Sequence, residues 1–223
     1  GGGATNTAVT FSRQGLRTAW CGMAGKDTGG REIIQQLKEL GISTAFIKTT
    51  DKKPTNYSVI LSSPQAPDRD RTILVYRGAS SELTADAIPW KKLEAKWFYL
   101  APLSGKLADL FPRLMHYARA FGIKVAVNPG GTQLKMPLPK LCSVMDKADI
   151  LFLNQEEASL LIRQPYKSDA IMLKKLWSTC KGSIIVVTKG PLGAVATDGK
   201  NIFSAPIIKT KVVDRTGAGD AFC

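Results

Sequence analysis

The chain has 223 residues, a length that suits one large α/β domain, and its hydrophobic content of 44% is ordinary for a protein with a buried core. Its formal net charge is +13, but the 31 basic residues are spread along the sequence without a dense basic run. This spread favours a basic surface that attracts small anions over a nucleic-acid-binding protein. We therefore expect no nucleic-acid partner. No apolar run approaches the ~20 residues of a membrane span, so we expect no membrane partner either.

The cysteine and histidine content narrows the chemistry further. Cys21, Cys142, Cys180 and Cys223 lie far apart and form no CxxC pair, which argues against structural zinc and predicts a reducing, cytoplasmic location. His116 is the one histidine, which argues against Ser-His-Asp triads and histidine-rich metal sites. Any reaction would then depend on carboxylates, lysines, backbone dipoles or a loosely held hard metal ion.

The first part of the chain alternates between helical and strand patterns. Residues 4–13 and 31–40 have helical spacing of apolar side chains, and residues 18–23 form a short apolar run typical of a strand. Residues 54–78 break the alternation with two β-rich runs joined by the polar link SSPQAPDRDR, which predicts a β-hairpin. The pattern leaves open whether this hairpin is an extra edge of the main sheet or a lid over a site.

Strands and helices alternate again after the hairpin. Short Val- and Ile-rich runs are typical of a parallel sheet, whose ligands bind at the carboxyl ends of the strands. The predicted strands are 97–100, 124–127, 150–153 and 183–188, and the predicted helices are 106–121, 155–162 and 168–179.

Small polar residues, glycines or acids follow four of the predicted strands. Asn128, Asn154 and Thr188 each lie at such a strand end, and a further predicted strand ends at Val213, where the closing run DRTGAGDAFC follows it. Because parallel strands end at one edge of a sheet, we expect these residues to lie close together.

The closing run contains a glycine loop between two aspartates. Gly217 and Gly219 permit a tight turn, and a helix that begins near Asp220 would point backbone N–H groups at the loop, which predicts an anion site. A carboxylate repels a resting phosphate, but it can take a proton from a hydroxyl that attacks the phosphate. The alternative is that Asp220 is a favourable acid in the first turn of a helix. The residues alone leave both interpretations open.

Five segments in the same order resemble the ribokinase-like (PfkB-type) carbohydrate kinases. DRTGAGDAF closely resembles the C-terminal signature of that family, and GGGATNTAVTFSRQGLRTAWCGMAGKDTGG looks like its N-terminal signature. RTILVYRGAS, NQEE and TKGPLGA resemble further elements, so the resemblance covers essentially the whole chain. It implies one Rossmann-type three-layer α/β domain over residues 1–223, with a mostly parallel central sheet and with residues 54–78 as a small β lid.

The resemblance also implies a reaction and the residues that carry it out. Asp220 would be the general base, and Gly217, Ala218 and Gly219 would form an anion hole for the phosphoryl group transferred from ATP. The remaining roles are nucleotide contacts at Thr188, Gly190 and Gly193, Mg²⁺ ordered through water by Asn154 and Glu157, substrate contacts at Gly2, Asn6 and Asn128, and a monovalent cation such as K⁺ at Asp214.

Several points of the resemblance stay open. The family begins with a strand that carries a sugar-binding acid and continues past GAGD to build the adenine pocket, so we expect this sequence to be a piece of a longer protein. The acceptor is a sugar, a nucleoside or a related molecule, and a homodimer through the lid is expected. The alternatives are a nucleoside kinase of the same fold and a catalytically inactive sugar- or nucleotide-binding regulator.

Overall fold

The computed structural model describes residues 2–62, 71–209 and 216–223. The predicted hairpin tip and the predicted strand before Asp214 lie outside these ranges, as does Asp214 itself. Contacts divide the chain into two compact units. The first unit contains Ala8–Trp90 and Gly105–Leu107, and the second contains Gly2–Thr7, Lys91–Ser104 and Ala108–Cys223.

A parallel pair of strands and two helices form much of the first unit. Its core contains Ala8, Leu37 and Ile42, all nearly inaccessible to solvent. The second strand was not among the sequence predictions, because its polar threonines and Lys48 dilute the apolar pattern. The elements are α1 (Gly3–Arg13, whose first residues belong to the second unit), β1 (Ala19–Gly25), α2 (Thr28–Glu39) and β2 (Ser43–Thr50).

Asp27 fixes the start of α2 and the chain that enters the next strand. One carboxylate oxygen accepts hydrogen bonds from the Gly30 N–H (2.8 Å) and the Thr55 hydroxyl (2.6 Å). The other oxygen accepts one from the Thr55 N–H at 2.7 Å. These bonds, led by that from the Thr55 hydroxyl, lower the pKa of Asp27 to about 2. Asp27 is thus a helix cap that also anchors a neighbouring segment.

The two β-rich runs of the sequence form β3 (Tyr57–Ser62) and β4 (Arg71–Tyr76), which pair antiparallel. The Ala79 N–H donates to the Pro54 carbonyl at 2.8 Å, so the two legs of the hairpin are joined at its base. The role of residues 54–78 as a lid inserted in a single domain stays a prediction. The same unit contains 3₁₀ turns at Ala79–Glu82 and Ala85–Ala87.

A six-stranded, mostly parallel sheet organises the second unit. Four neighbouring strands run parallel, as predicted, and two antiparallel strands that were not predicted extend one edge. In sheet order the strands are β10 (Ile202–Ala205), β9 (Ala194–Thr197), β8 (Ile184–Thr188), β7 (Ile150–Asn154), β6 (Lys124–Val127) and β5 (Trp97–Leu100).

Helices pack on this sheet around a close-packed core. Leu151, Leu153, Ile185 and Val187 alternate along β7 and β8 and are almost completely buried, as period-two side-chain placement requires. The helices are α3 (Phe111–Ala120), α4 (Gly131–Leu134), α5 (Leu138–Met145), α6 (Gln155–Ile162), α7 (Asp169–Thr179) and α8 (Ala218–Phe222).

The predicted helix over residues 106–121 is only partly α-helical. Gly105–Leu110 is a 3₁₀ segment, and the α-helix begins at Phe111. Pro112 explains this boundary, because proline lacks an N–H and is tolerated in the first turn of an α-helix but not in its interior. His116 lies on the exposed face of this helix.

Among the described residues, every helix is too short or too polar to span a bilayer.

Candidate functional site

The carboxyl ends of the parallel strands meet at one edge of the sheet, as predicted. Asn154 and Thr188 are paired in register at the ends of β7 and β8. Asn128 follows β6 directly, and its N–H donates to the Leu100 carbonyl of β5 at 3.0 Å. Four consecutive strands therefore deliver polar residues or loop backbone to the same edge.

The carboxylate of Asp220 lies against the start of α1. The Asn6 side-chain amide donates to Asp220 Oδ2 at 2.9 Å. A Cβ added to Gly3 would lie 3.3 Å from Asp220 Oδ1, so the absence of a side chain at Gly3 leaves space beside this oxygen. The fold thus brings together two parts of the resemblance, the N-terminal and C-terminal signatures, which lie more than 200 residues apart.

The glycine loop depends on a left-handed residue at its start. Gly217 has φ +76° and precedes α8, and a Cβ there would lie 2.8 Å from Asn6 Nδ2. Any other residue at this position would be strained and would press on the amide that contacts Asp220. Ala218 and Gly219 follow in the first turn of α8, with Asp220 beside them.

Three residues that sequence reasoning missed support this loop. Thr7, completely buried, donates its hydroxyl to the Asp220 backbone carbonyl at 2.8 Å. The Tyr99 phenol contacts Thr7 and Cys223, and burial raises its pKa. Burial, with a contribution from the charges of Asp220 and Glu157, raises the pKa of Cys223 to about 11. A polar residue on the buried face of a predicted helix was the available signal for Thr7.

Asn154 and Glu157 hold each other in a capping box at the start of α6. Asn154 Oδ1 accepts a hydrogen bond from the Glu157 N–H at 2.8 Å, and Glu157 Oε2 accepts one from the Asn154 N–H at 2.9 Å. Asn128 Nδ2 also approaches Glu157 Oε2, at 3.4 Å. The NQEE element therefore has a structural role in helix capping, and it fixes the orientation of the Glu157 carboxylate.

This arrangement suits Mg²⁺ held largely through water. Burial raises the pKa of Glu157, although the hydrogen bonds from Asn154 and Asn128 oppose that shift. Both of these bonds fall on Oε2, while Asn154 Oδ1 is engaged in the helix cap. Mg²⁺ commonly takes one or two carboxylates and several waters, so a fixed, partly buried glutamate fits its requirements. Within the ranges the structure describes, no three His, Cys, Asp or Glu residues cluster as a ready-made metal cage.

A tight loop follows β8 and carries the predicted nucleotide contacts. The Lys189 N–H donates to the Gly193 carbonyl at 2.8 Å, which closes the loop around a 3₁₀ turn at Gly190–Leu192. Gly193 has φ +84°, and a Cβ there would lie 2.1 Å from the Ala205 carbonyl oxygen, so this position requires glycine. Thr188 lies at the base of the loop, beside the end of β7.

The remaining predicted contacts have simpler surroundings. The Gly2 carbonyl accepts hydrogen bonds from the Thr5 and Asn6 N–H groups at 3.0 Å, which caps the start of α1. Asn128 Nδ2 donates to the Phe152 carbonyl at 3.1 Å, so part of its amide stabilises the strand edge. Asp214 lies outside the described residues, and its cation role stays a prediction.

Comparisons with known proteins identify the class of protein that has this fold and this arrangement of polar residues at the sheet edge. The pattern of the pfkB family carbohydrate kinases matches residues 1–223. The chain therefore belongs to the pfkB family of carbohydrate kinases, phosphotransferases that use an alcohol group as acceptor.

Individual relatives are distant but extend over the whole chain. A ribokinase of Lactococcus lactis subsp. lactis is 28% identical over 100% of this chain and 69% of its own length. The crystal structure of an adenosine kinase from Sinorhizobium meliloti has a TM-score of 0.82 at 24% identity, with 100% of this chain and 68% of the other covered. A putative ribokinase II from E. coli in complex with ATP and Mg²⁺ has a TM-score of 0.82 at 18% identity, covering 99% and 72%. The predicted ribokinase-like fold is confirmed.

Proposed function

We propose that the chain is an ATP-dependent kinase that transfers the γ-phosphoryl group to a hydroxyl of a sugar or nucleoside, with Asp220 as the base. The observation that supports this most directly is the Asn6–Asp220 hydrogen bond. This bond places Asp220, the acid of the C-terminal signature, beside Asn6, which belongs to the N-terminal segment predicted to contact the substrate. Such a juxtaposition is not needed if Asp220 merely favours the start of α8.

Asp220 accepts the proton of the attacking hydroxyl in this proposal. Asn6 restrains the carboxylate through Oδ2, and the backbone at Gly3 leaves space for a hydroxyl beside Oδ1. A positioned base of this kind contributes a factor of roughly 100 to 10,000 to the rate. Thr7 holds the backbone of the same residue, so the base is fixed at two points.

Charge on the transferring phosphoryl group is stabilised by backbone in this mechanism. The amides of Gly217, Ala218 and Gly219 form the proposed anion hole, and each such donor is typically worth ~3 kcal/mol in the transition state. Phosphoryl transfer depends on positioning and charge stabilisation more than on covalent chemistry by the protein, so the absence of a site histidine is no obstacle.

The nucleotide side of the site is formed by the neighbouring strand ends. The loop with Thr188, Gly190 and Gly193 would contact the phosphates, and Glu157, with Asn154 through water, would hold Mg²⁺. When bound, Mg²⁺ neutralises charge on the phosphate oxygens. ATP and Mg²⁺ in the similar E. coli protein support this assignment.

The acceptor can be identified by a coupled assay of ADP release. The panel contains pentoses, fructose and its phosphate esters, 2-keto-3-deoxygluconate and nucleosides, with ATP binding measured separately by calorimetry. We expect turnover with one acceptor class and micromolar to millimolar KM. ATP binding without turnover on any acceptor would instead favour a sugar- or nucleotide-binding regulator.

A monovalent cation such as K⁺ near Asp214 is a separate part of the proposal. It predicts faster turnover in KCl than in NaCl at equal ionic strength, and loss of this difference in Asp214→Asn. Equal turnover in the two salts would contradict a role for a monovalent cation.

A homodimer through the β3–β4 hairpin is supported by its exposed apolar side chains. Val59, Leu61 and Leu74 lie on one face of the hairpin and are 45%, 54% and 55% exposed, an unusual concentration on so short an element. A second copy of the chain would cover them. Sedimentation should show a dimer that Leu74→Lys converts to a monomer, and a monomeric wild type would contradict the proposal.

A cytoplasmic location is supported by the state of the cysteines. All four are free thiols, which suits a reducing compartment. Cell fractionation tests this location directly.

A further inference from the structure

An ion pair in the second unit has no part in the mechanism described above. Lys189 Nζ lies 2.7 Å from Asp169 Oδ2, and the Lys189 side chain is only 14% exposed. The Tyr166 hydroxyl donates to the other oxygen, Asp169 Oδ1, at 2.6 Å. The hydrogen bond from Lys189, followed by that from Tyr166, lowers the pKa of Asp169. The carboxylate is thus held by two donors.

This ion pair connects the loop after β8 to a rigid helix. Lys189 stands between Thr188 and Gly190, and its backbone N–H and carbonyl make the hydrogen bonds that close the loop, to Gly193 and from Leu192. Asp169 is the first residue of α7, after the N-cap Ser168. The side chain of Lys189 therefore ties the backbone of the loop to the first turn of a helix that packs on β8.

We propose that Lys189 and Asp169 are positioning residues that hold the loop of residues 189–193 in its phosphate-binding conformation. This inference rests on the proposed nucleotide site. Glycine backbones at 190 and 193 have large conformational freedom, so an external anchor reduces the ordering that nucleotide binding would otherwise require. The anchor is provided by a side chain within the loop itself.

A direct role of Lys189 as a phosphate ligand is the competing explanation. Its ammonium group is already paired, and moving it to a phosphate would leave the Asp169 carboxylate without its closest cation. The Lys189 side chain is only 14% exposed, and separating a largely buried charge from its partner is costly, which favours an anchor that stays in place. The two roles differ in what Asp169 does, because a direct ligand would not need the aspartate.

The test uses Asp169→Asn, Lys189→Met, the double variant and Lys189→Arg, with Lys174→Met on the exposed face of α7 as a charge-matched control. Hydrogen exchange is measured at the amides of Lys189, Leu192 and Gly193, together with ATP and acceptor KM. We expect roughly 10-fold faster exchange in Asp169→Asn and Lys189→Met. ATP KM should rise roughly 10-fold with acceptor KM unchanged.

The double variant should be no worse than either single variant, because both remove the same anchor. Lys189→Arg should recover most of the loss, and Lys174→Met should match wild type. Unchanged amide exchange would overturn the anchor. A raised ATP KM in Lys189→Met with a normal value in Asp169→Asn would also overturn it, in favour of a direct ligand.

Failure of the proposed function gives a different result. If the wild-type protein binds no ATP, the proposed nucleotide site is wrong, and so is the phosphate-binding role that this inference gives to the loop. The amide exchange of the variants would still decide whether the ion pair orders the loop.

Discussion

Asp27 and Asp220 have similar sequence contexts, each beside glycines at the start of a helix, but their carboxylates have different surroundings. Asp27 receives three hydrogen bonds distributed over both oxygens, from the Gly30 and Thr55 N–H groups and the Thr55 hydroxyl. Asp220 receives the Asn6 amide on Oδ2, whereas Oδ1 faces the backbone of Gly3. Asp27 therefore joins two segments of the chain, whereas the Asp220 carboxylate has space on one side for a substrate hydroxyl.

The hydrogen bonds that a carboxylate accepts therefore indicate its role better than the sequence motif around it does. A carboxylate whose two oxygens are both occupied by the chain is held in its ionised form and serves structure, as the low pKa of Asp27 shows. A carboxylate restrained on one side is oriented but accessible, which a general base requires. Each of the following variants tests this contrast.

The largest expected effect is on turnover in Asp220→Asn. The substitution keeps the size and an acceptor oxygen for Asn6 but removes the basic carboxylate, so kcat should fall at least ~100-fold. ATP binding and Tm should stay close to wild type, as measured by calorimetry. Near-wild-type turnover would exclude Asp220 as the base and would remove the contrast with Asp27.

A smaller effect is expected from Asn6→Ala, which frees the oriented oxygen of Asp220. Loss of orientation should lower kcat roughly 10-fold in the coupled assay, since misplaced catalytic groups lose rate steeply. Asn201→Ala, in the turn between β9 and β10, removes an amide of the same size and is the control. Equal turnover in the two variants would contradict a positioning role for Asn6.

Asp27→Asn should show the opposite behaviour to Asp220→Asn. It weakens the bonds to Thr55 and Gly30, so Tm should fall by roughly a few degrees, while kcat per folded molecule is retained. Differential scanning calorimetry and the assay at low temperature measure both quantities. A collapse of turnover with an unchanged Tm would mean that the two acids had been assigned the wrong way round.

The smallest effect concerns the pH dependence of stability. The pKa of Asp27 is about 2 in the folded protein against an ordinary 3.8, so its ionised form stabilises the fold above about pH 4. That contribution is lost as pH falls through about 2. The Tm difference between wild type and Asp27→Asn should therefore narrow between pH 5 and pH 2. A difference that does not change with pH would contradict the charge-based explanation.

Local patterns predict much of this fold, and contacts between distant segments explain the rest. Residues 97–100 and 124–127 are compact apolar runs, and the structure has strands with the same bounds. The capping box of Asn154 and Glu157 is also local, since N-x-x-E before an apolar run is its usual pattern. The anchoring of Thr55 by Asp27 joins residues 28 positions apart, so no local pattern reports it.

Strand β2 was not predicted, and neither was the 3₁₀ conformation of Gly105–Leu110 before α3. Both misses have physical reasons. Ser43–Thr50 carries polar threonines on a half-exposed strand, which hides its period of two. The region before Phe111 has helical spacing, but Pro112 sets where an α-helix can begin. The ion pair of Lys189 and Asp169 has no sequence signal either, since it links a loop to a helix 20 residues earlier.

The hydrogen bond between Asn6 and Asp220 joins positions separated by 214 residues. Closing so long a loop carries an entropic cost that other contacts must offset first, so we expect this bond to form late in folding. During refolding, recovery of turnover should lag behind the burial of tryptophan side chains followed by fluorescence. Turnover would then also indicate completed folding, because a partly folded chain would lack the Asn6 hydrogen bond to the Asp220 carboxylate.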